Sequence, residues 1–349
     1  MDTQNRNTAA APAAQPLQAE AFLTQMAFGA MMTQALYVAA KLGIADLLSA
    51  KPLPVSELAA RTETHERSLY RVLRSLASVG VFEETDPQVF ALTPLAEPLR
   101  SDAPNSMRGG LIFMGEQWHW SVWGEMMHSV RTGRPAWGHV HGAEVFEYFT
   151  ANPPQAEIFN RAMTDMSAAI APVIVEAYDF DGTGTLADIA GGHGYLLAQV
   201  LKAHPQMRGI LFDMPPVVAG ADALLEREGV CARVERVAGD FFAAVPRGAD
   251  AYMMKHIIHD WDDERSITIL RNINSAMNAD SRVLIIETVV PEGNEPHYSK
   301  LLDLEMLASP GGAERTAAEY RELLAAAGLR LARIVPTRSP FSIVEAVRA

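Results

Sequence analysis

The chain of 349 residues contains one cysteine, Cys231. A single thiol cannot form an intrachain disulfide or a cysteine metal cluster, so the sequence predicts a metal-free protein of a reducing, cytoplasmic compartment. Basic residues are also scarce, because 29 Lys and Arg stand against 42 Asp and Glu for a net charge of −13. Nucleic-acid backbones are bound by clustered Lys and Arg, so this balance argues against a nucleic-acid partner.

Long uninterrupted apolar runs are missing as well. The apolar stretch 21–48 contains Gln25, Lys41 and Asp46, which predicts helices packed against protein and no membrane partner. Residues 1–18 are rich in Ala, Pro and Gln, which predicts a flexible N-terminal arm. No basic region leads there into an apolar core, so a secretory signal is not expected.

Residues 19–110 carry a helical pattern that ends in a small hairpin. Apolar side chains recur at helical spacing between Thr64 and Val79, and two short strands follow at 81–84 and 89–92. This order of helices and hairpin predicts a winged-helix-like domain.

A basic stripe on that domain leaves a DNA-binding alternative open. Arg67, Arg71 and Arg74 recur at three- and four-residue spacing and therefore share one helix face. On so acidic a chain we favour a dimerisation domain over a DNA-binding regulator.

Residues 111–173 are dense in aromatic side chains and methionine, Met163 among them. Such residues at helical spacing are mostly core, and a minority are available to line an apolar ligand cavity. We therefore interpret this segment as a helical linker that also forms part of a ligand pocket.

From residue 174 to 349 strands and helices alternate. Seven strands are predicted: 185–190, 208–213, 233–238, 249–256, 282–289, 329–335 and 341–347. Helical segments are predicted between the first five, and the last two are expected to pair as an edge hairpin. This rhythm predicts an α/β fold with a Rossmann-like, doubly wound, mainly parallel sheet, which binds ligands at the carboxyl ends of its strands.

The end of the first predicted strand resembles a nucleotide cradle. Asp188 is followed by Ala-Gly-Gly-His-Gly at 190–194 and then by a helical stretch. Glycine lets a backbone approach a ligand, and a helix N-terminus offers free N–H groups. Asp213, at the end of the second strand, lies 19 residues after Gly194, a spacing that suits a ribose diol, although a helix-capping role is the alternative.

Further polar residues follow the third and fourth strands. Asp240 and Phe241 suit an adenine amine and its ring, or else an ordinary turn. Lys255 and His259 follow the fourth strand, and a histidine with a pKa near 6.5 suits general-base work. A metal site of His256 and His259 with Asp260 is disfavoured, because the turn is expected to splay the two rings.

Two acids are candidates to orient His259. Glu287 lies near the end of the fifth strand, and Glu314 lies in Gly-Gly-Ala-Glu-Arg-Thr at 311–316. Glu314 is equally placed to cap the helix that follows it.

Taken together, these segments resemble the S-adenosylmethionine-dependent small-molecule O-methyltransferases of the caffeic-acid O-methyltransferase type. The motifs that carry the resemblance are Asp-Ile-Ala-Gly-Gly-His-Gly, Leu-Phe-Asp-Met-Pro, Gly-Asp-Phe-Phe, Lys-His-Ile-Ile-His-Asp-Trp-Asp-Asp-Glu and Gly-Gly-Ala-Glu-Arg-Thr. It covers nearly the whole chain after the arm. It implies a homodimer formed through the N-terminal domain, S-adenosylmethionine as methyl donor with S-adenosylhomocysteine as product, and a small-molecule acceptor, aromatic or polycyclic.

The resemblance also implies roles for individual residues. The cofactor-binding residues are Asp188, Ala190, Gly191, Gly192, Asp213, Asp240, Phe241 and Lys255. His259 is the implied general base, flanked by Glu287 and Glu314. Asp303 and Met306 fall where the family lines its acceptor pocket, and Met163 is assigned to the same pocket.

One position departs from the family pattern. Ala190 stands where three consecutive glycines usually begin, and its methyl group is expected to fit if φ is negative. Relatives that methylate carbon, hydroxylate or decarboxylate remain alternatives, as does a nicotinamide-dependent dehydrogenase, which uses a similar glycine turn.

Overall fold

The computed structural model describes residues 16–349, and its contacts divide the chain into two units between Arg100 and Ser101. The predicted arm lies outside the described residues up to residue 15, and its last three residues are helical. The predicted boundary at residue 110 falls within a helix, Arg108–Gly115, of the second unit. Among the described residues, no helix is long and apolar enough to cross a membrane.

The first unit combines four helices with a three-stranded antiparallel sheet. Its elements are α1 (Pro16–Lys41), α2 (Ile44–Leu48), β1 (Leu53–Pro54), α3 (Val55–Arg61), α4 (Glu66–Ala77), β2 (Phe82–Asp86) and β3 (Val89–Leu92). The α4 residues Leu69, Leu73 and Leu76 are buried, as the helical spacing predicts. Strands β2 and β3 pair as the predicted hairpin, and β1 pairs with β3.

Six helices open the second unit. They are α5 (Arg108–Gly115), α6 (Gln117–Gly124), α7 (Met126–Thr132), α8 (Ala136–His141), α9 (Val145–Ala151) and α10 (Pro153–Ala177). Trp137 and Phe149 are buried in a core that Trp118 and Phe159 join from partly exposed positions. Many of the aromatic residues in the segment 111–173 are therefore core residues.

The sheet of the second unit follows the predicted alternation. Its strands are β4 (Thr185–Ile189), β5 (Arg208–Asp213), β6 (Val234–Ala238), β7 (Ala251–Lys255), β8 (Arg282–Val290), β9 (Arg315–Thr316), β10 (Leu329–Pro336) and β11 (Phe341–Arg348). Its helices are α11 (Tyr195–Ala203), α12 (Pro215–Val218), α13 (Asp222–Arg227), α14 (Asp263–Ala276), α15 (Tyr298–Ala308) and α16 (Ala317–Ala326).

Strand order in the sheet is β10-β11-β8-β7-β4-β5-β6, with β9 paired to β8. Strands β4 to β8 pair parallel, and β10 and β11 form the predicted antiparallel edge hairpin. All seven predicted strands are present with ends within two residues. The short β9, which the sequence did not predict, pairs parallel to β8.

One predicted element is wrong. A helix is expected between the third and fourth strands, but residues 239–250 form turns. Pro246 lacks a backbone donor, and Gly248 adopts φ +88°, which together stop a helix from forming. The short turn keeps the residues that follow β6 at the carboxyl edge of the sheet.

Helices cover both faces of the sheet. One face packs against α14 and α16 through residues such as Ile269 and Leu323, and the other packs against α11 through Leu197. Burial on both faces explains the continuous apolar runs of the parallel strands. Each fully buried Leu or Ile contributes about 1.5–3 kcal/mol, which makes the sheet a rigid support for its edge.

Candidate active site

His259 lies at the carboxyl edge of the sheet. Strand β7 ends at Lys255, and a 3₁₀ turn, Ile258–Asp260, leads to α14. Asp262 caps α14 by accepting a hydrogen bond from the Arg265 N–H at 2.8 Å. The turn between a central strand and a capped helix therefore fixes the position of His259.

Glu314 holds the imidazole ring of His259. Its Oε1 lies 2.5 Å from His259 Nδ1, and both side chains are buried. Burial by itself lowers the pKa of His259, but the charges of Asp260, Glu314 and Glu287 outweigh it and raise the pKa to about 9. The second oxygen of Glu314 accepts a hydrogen bond from the Thr288 hydroxyl. Glu314 therefore orients the ring, whereas Thr316 caps α16.

Glu287 acts on the backbone of the same turn. Its Oε1 accepts hydrogen bonds from the N–H groups of Ile257 and His259, both at 3.1 Å. Its Oε2 accepts from the Tyr320 hydroxyl at 2.5 Å. Glu287 thus holds the turn rather than the ring. Sequence reasoning missed Tyr320, for which a helical position on α16 was the only signal.

Arg315 and Gly312 also contact the backbone of this turn. The Arg315 guanidinium donates to the carbonyl oxygens of Ile258 at 3.1 Å and Trp261 at 2.9 Å, and it pairs with Asp263 at 2.8 Å. A Cβ added at Gly312 would lie 1.9 Å from the His259 carbonyl oxygen. The motif at 311–316 therefore supplies Glu314 and also the contacts that seat the turn.

Two residues assigned to the acceptor pocket lie on α15. Asp303 Oδ1 accepts a hydrogen bond from the Glu314 N–H at 2.9 Å, which places this carboxylate behind the acid that orients His259. Met306 is buried. Met163 lies half-buried on α10. Their part in acceptor binding stays a prediction.

The glycine turn follows β4 at the same edge. A Cβ at Gly191 would lie 2.6 Å from the Asp188 carboxyl group and from Leu211, so a side chain is excluded there. The methyl group of Ala190 is expected to fit only if φ is negative. That expectation is wrong for this structure, because the φ of Ala190 is +55°. This left-handed conformation costs a residue with a Cβ about 1–2 kcal/mol. The backbone at Ala190 nonetheless adopts the left-handed conformation that glycine favours.

Asp213 is tied to this turn. Its Oδ2 accepts from the Gly192 N–H at 2.8 Å, and its Oδ1 accepts from the Met214 N–H at 2.7 Å. Burial raises the pKa of Asp213, and these two hydrogen bonds oppose that rise. Each carboxylate oxygen retains a lone pair, so the group can still accept from a diol.

Asp188 and Lys255 end neighbouring strands with opposite charges. Burial raises the pKa of Asp188 to about 7, and the charge of Lys255 opposes that rise. Burial lowers the pKa of Lys255 to about 8, and the charge of Asp188 acts against it. Both groups therefore titrate near neutral pH, and they lie on neighbouring strands next to the glycine turn.

An aromatic group lies beyond the end of β6. Trp261 meets Phe242 edge to face with ring centroids 4.9 Å apart, and it lies 6.0 Å from Phe241. Phe146 stacks on Trp261 at 5.4 Å. Asp240 Oδ1 accepts from the Phe242 N–H at 2.8 Å, as the turn interpretation predicts, and its other oxygen stays available to a ligand.

These residues fit S-adenosylmethionine chemically. The cradle at Gly191 leaves no room for a side chain, the Asp213 carboxylate suits ribose hydroxyls, and flat aromatic faces suit adenine. Helix α11 begins directly after the turn, with its N-terminal N–H groups at this edge.

The two histidines of the turn do not form the splayed pair that the sequence predicts. Their rings stack, with centroids 5.0 Å apart and planes 22° from parallel. The reason is the left-handed backbone of His256, whose φ is +56°. Among residues 16–349, no group of three or more His, Cys, Asp or Glu is arranged to hold a metal ion.

Comparison with known proteins places the chain in a family. The model of the O-methyltransferase domain matches residues 123–330, and that of the O-methyltransferase dimerisation domain matches residues 24–102. The phenazine O-methyltransferase PhzM of Lysobacter antibioticus is 46% identical over 99% of both chains. The mitomycin biosynthesis 6-O-methyltransferase of Streptomyces lavendulae is 40% identical over 99% of this chain and 98% of that one.

A solved structure extends the comparison to a bound cofactor. The O-methyltransferase NcsB1 from neocarzinostatin biosynthesis, in complex with S-adenosylmethionine and 2-hydroxy-5-methyl naphthoic acid, superposes with a TM-score of 0.79. It is 33% identical, and the match covers 97% of this chain and 100% of that one. The chain therefore belongs to the S-adenosylmethionine-dependent O-methyltransferases that carry an N-terminal dimerisation domain.

Proposed function

We propose that His259 is the general base that deprotonates the hydroxyl group of an aromatic or polycyclic acceptor before its methylation. The observation that carries this proposal is the 2.5 Å contact between His259 Nδ1 and Glu314. An acid on Nδ1 fixes the ring so that Nε2 accepts a proton, as in other His–carboxylate pairs.

The division of labour follows from the contacts. S-adenosylmethionine, when bound, supplies an electrophilic methyl group. His259 removes the proton of the hydroxyl, and Glu314 stabilises the imidazolium that results. Glu287 and Arg315 hold the backbone of the turn so that the base keeps its place, and alignment of reacting groups contributes strongly to rate.

The acceptor class rests on two features. The names of relatives include a phenazine and a dihydroxy-methylnaphthoate methyltransferase, and both name fused aromatic rings. In this chain Phe113, Trp118 and Phe159 lie next to one another in the helical part of the second unit, with Phe113 centroids 5.6 and 5.7 Å from the other two. Trp118 and Phe159 also pack on the core of Trp137 and Phe149 from partly exposed positions, and we propose that their outer faces, with Phe113, meet the planar acceptor.

The acceptor atom is a hydroxyl oxygen in this proposal. One relative is named an N,N-dimethyltransferase, so the fold also serves amines. A phenol must lose its proton to become a strong nucleophile, whereas a neutral amine attacks with its lone pair. A buried base with a dedicated acid, His259 with Glu314, therefore favours oxygen.

We infer a homodimer formed through α1, because the O-methyltransferase dimerisation domain matches residues 24–102. Phe22, Leu23, Met26 and Met31 on this helix are each more than half exposed. Exposed apolar patches of this kind mark protein interfaces. The match to the dimerisation domain includes Met26 and Met31. We also propose a division into segments 1–18, 19–110, 111–173 and 174–349, of which the boundary at 110 lies ten residues beyond the division between the two units at Arg100.

We propose that Asp213 binds the ribose of the cofactor. Asp213→Ala is expected to weaken S-adenosylhomocysteine binding about 10–100-fold, the loss of hydrogen bonds to a charged group. Isothermal titration calorimetry measures this directly. Asp280→Ala, at an exposed carboxylate, serves as the control and should bind normally. An unchanged dissociation constant for Asp213→Ala contradicts the ribose role.

Glu314→Gln is expected to shift the pH dependence of catalysis. Only a neutral His259 accepts a proton, so kcat/KM of the wild type rises as the pH increases through the raised pKa, about 9 in the free enzyme. Without the Glu314 charge this pKa falls, and the rise moves to lower pH by about one to three units. Measured pH profiles of both proteins check this.

The control for that experiment is Glu292→Gln, at an exposed position. Its profile should overlay that of the wild type. An identical profile for Glu314→Gln would show that another group limits the reaction.

A further inference from the structure

His256 is a buried residue that the proposed mechanism does not use. It follows Lys255 and precedes the base by three positions, and it is 7% exposed. Its φ of +56° lies in a region that residues other than glycine rarely adopt. Strained residues of this kind persist where the surroundings hold them, often at functional sites.

The neighbours of its ring define which nitrogen carries the proton. Nδ1 lies 3.4 Å from the Lys255 Nζ, and below the Lys255 pKa of about 8 this group is an ammonium that can only donate. Burial, with the charges of Lys255 and His259, lowers the pKa of His256 well below 6.5, so the ring is neutral. Nδ1 therefore accepts, and Nε2 carries the hydrogen.

That Nε2–H group is buried and has no hydrogen-bond partner among the residues that the structure describes. A buried donor without a partner is unfavourable in the free protein, and such groups are rare. Two rings pack against the His256 ring and fix its position. The ring centroid of His259 lies 5.0 Å away, and that of Phe341 lies 4.8 Å away.

We propose that His256 Nε2–H is a preformed donor to the acceptor oxygen that loses its proton to His259. The two rings stack beside each other, so one substrate oxygen is served by a base and by a neutral donor. A fixed N–H group stabilises the negative charge that develops on that oxygen, as donors of oxyanion holes do. This inference rests on the proposed role of His259.

The test compares two substitutions in the full-length protein. His256→Phe keeps a ring that can stack on His259 but removes the donor. His256→Asn keeps an N–H donor in a residue that tolerates positive φ. The readouts are kcat with 1-hydroxyphenazine as acceptor, the dissociation constant of S-adenosylhomocysteine, and the Tm of the free protein.

His256→Phe is expected to lower kcat about 10²-fold with unchanged S-adenosylhomocysteine binding, as loss of an oxyanion donor does. Its Tm should rise, because the unpartnered donor is gone. His256→Asn should retain more of the turnover than His256→Phe.

Three results overturn the inference. An unchanged kcat excludes the donor role, and a lower Tm shows that Nε2–H is already satisfied within the protein. Weaker S-adenosylhomocysteine binding assigns the donor to the cofactor instead. If the wild type does not methylate 1-hydroxyphenazine, this one acceptor is excluded, and the Tm comparison alone decides whether His256 carries a free donor.

Discussion

His259→Ala is expected to lower kcat about 10²–10⁴-fold, the usual contribution of a general base. Binding of S-adenosylhomocysteine should stay within a factor of two, because the glycine turn and Asp213 do not depend on the imidazole ring. Steady-state kinetics and calorimetry measure the two quantities separately. The split between them is the signature of a residue that acts in the chemical step.

Two comparisons sharpen this experiment. Added imidazole should restore part of the turnover of His259→Ala, since it can occupy the cavity beside Glu314 and take the proton. His65→Ala, at an exposed histidine of the first unit, should behave as wild type. Turnover by His259→Ala within a few-fold of the wild type would remove His259 from the base role.

Gly312→Ala is expected to destabilise the second unit by about 1–3 kcal/mol or more, the range for overpacked sites. The added Cβ would lie 1.9 Å from the His259 carbonyl oxygen and 2.5 Å from the Trp261 nitrogen, and backbone cannot yield as a side chain does. The kcat of this variant should also fall about 10²-fold, because a small displacement of the turn moves His259 away from the reacting hydroxyl. Urea denaturation and kinetics measure both.

The matched control is Gly110→Ala on α5, where an added Cβ would meet nothing within 4 Å. This variant should be as stable as the wild type or slightly more so, since alanine favours helix over glycine. Equal stability of Gly312→Ala and Gly110→Ala would mean that the turn yields easily, and the contact at Gly312 would then not position the base.

The sheet could be predicted from the sequence because its pattern is local. Buried parallel strands appear as short apolar runs, and helices between them show their own period, so seven strands could be placed within two residues. The failure at 239–250 has the same origin, because Pro246 and Gly248 outweigh the apolar residues of that segment.

The positions of the site residues could be predicted for a related reason. Carboxyl ends of parallel strands meet at one edge of the sheet, so Asp213 and Lys255 lie along that edge, and Glu287 follows Ile286, the partner of Lys255. The partners could not be predicted. Glu287 accepts hydrogen bonds from the backbone of the turn and from Tyr320, which lies 33 residues further along the chain.

The backbone conformation of single residues could not be predicted from the sequence either. Nothing in the run 186–195 shows that Ala190 adopts a left-handed φ, because alanine normally avoids it. His256 is the same case, since an alternating strand pattern predicts splayed rings. In both places the surrounding turn imposes a backbone that the residue itself does not favour.

The pairing of the interior strand β8 has a consequence for how the enzyme folds. It pairs on one side with β7 and on the other with β11, where Glu287 is opposite Ser342. Contacts between residues more than fifty positions apart form slowly, because a long loop must close first. The strand that carries Glu287 therefore gains its second neighbour late. This second pairing can form only once residues 341–348 have been synthesised, so the strand that carries Glu287 is completed by the last strand of the chain.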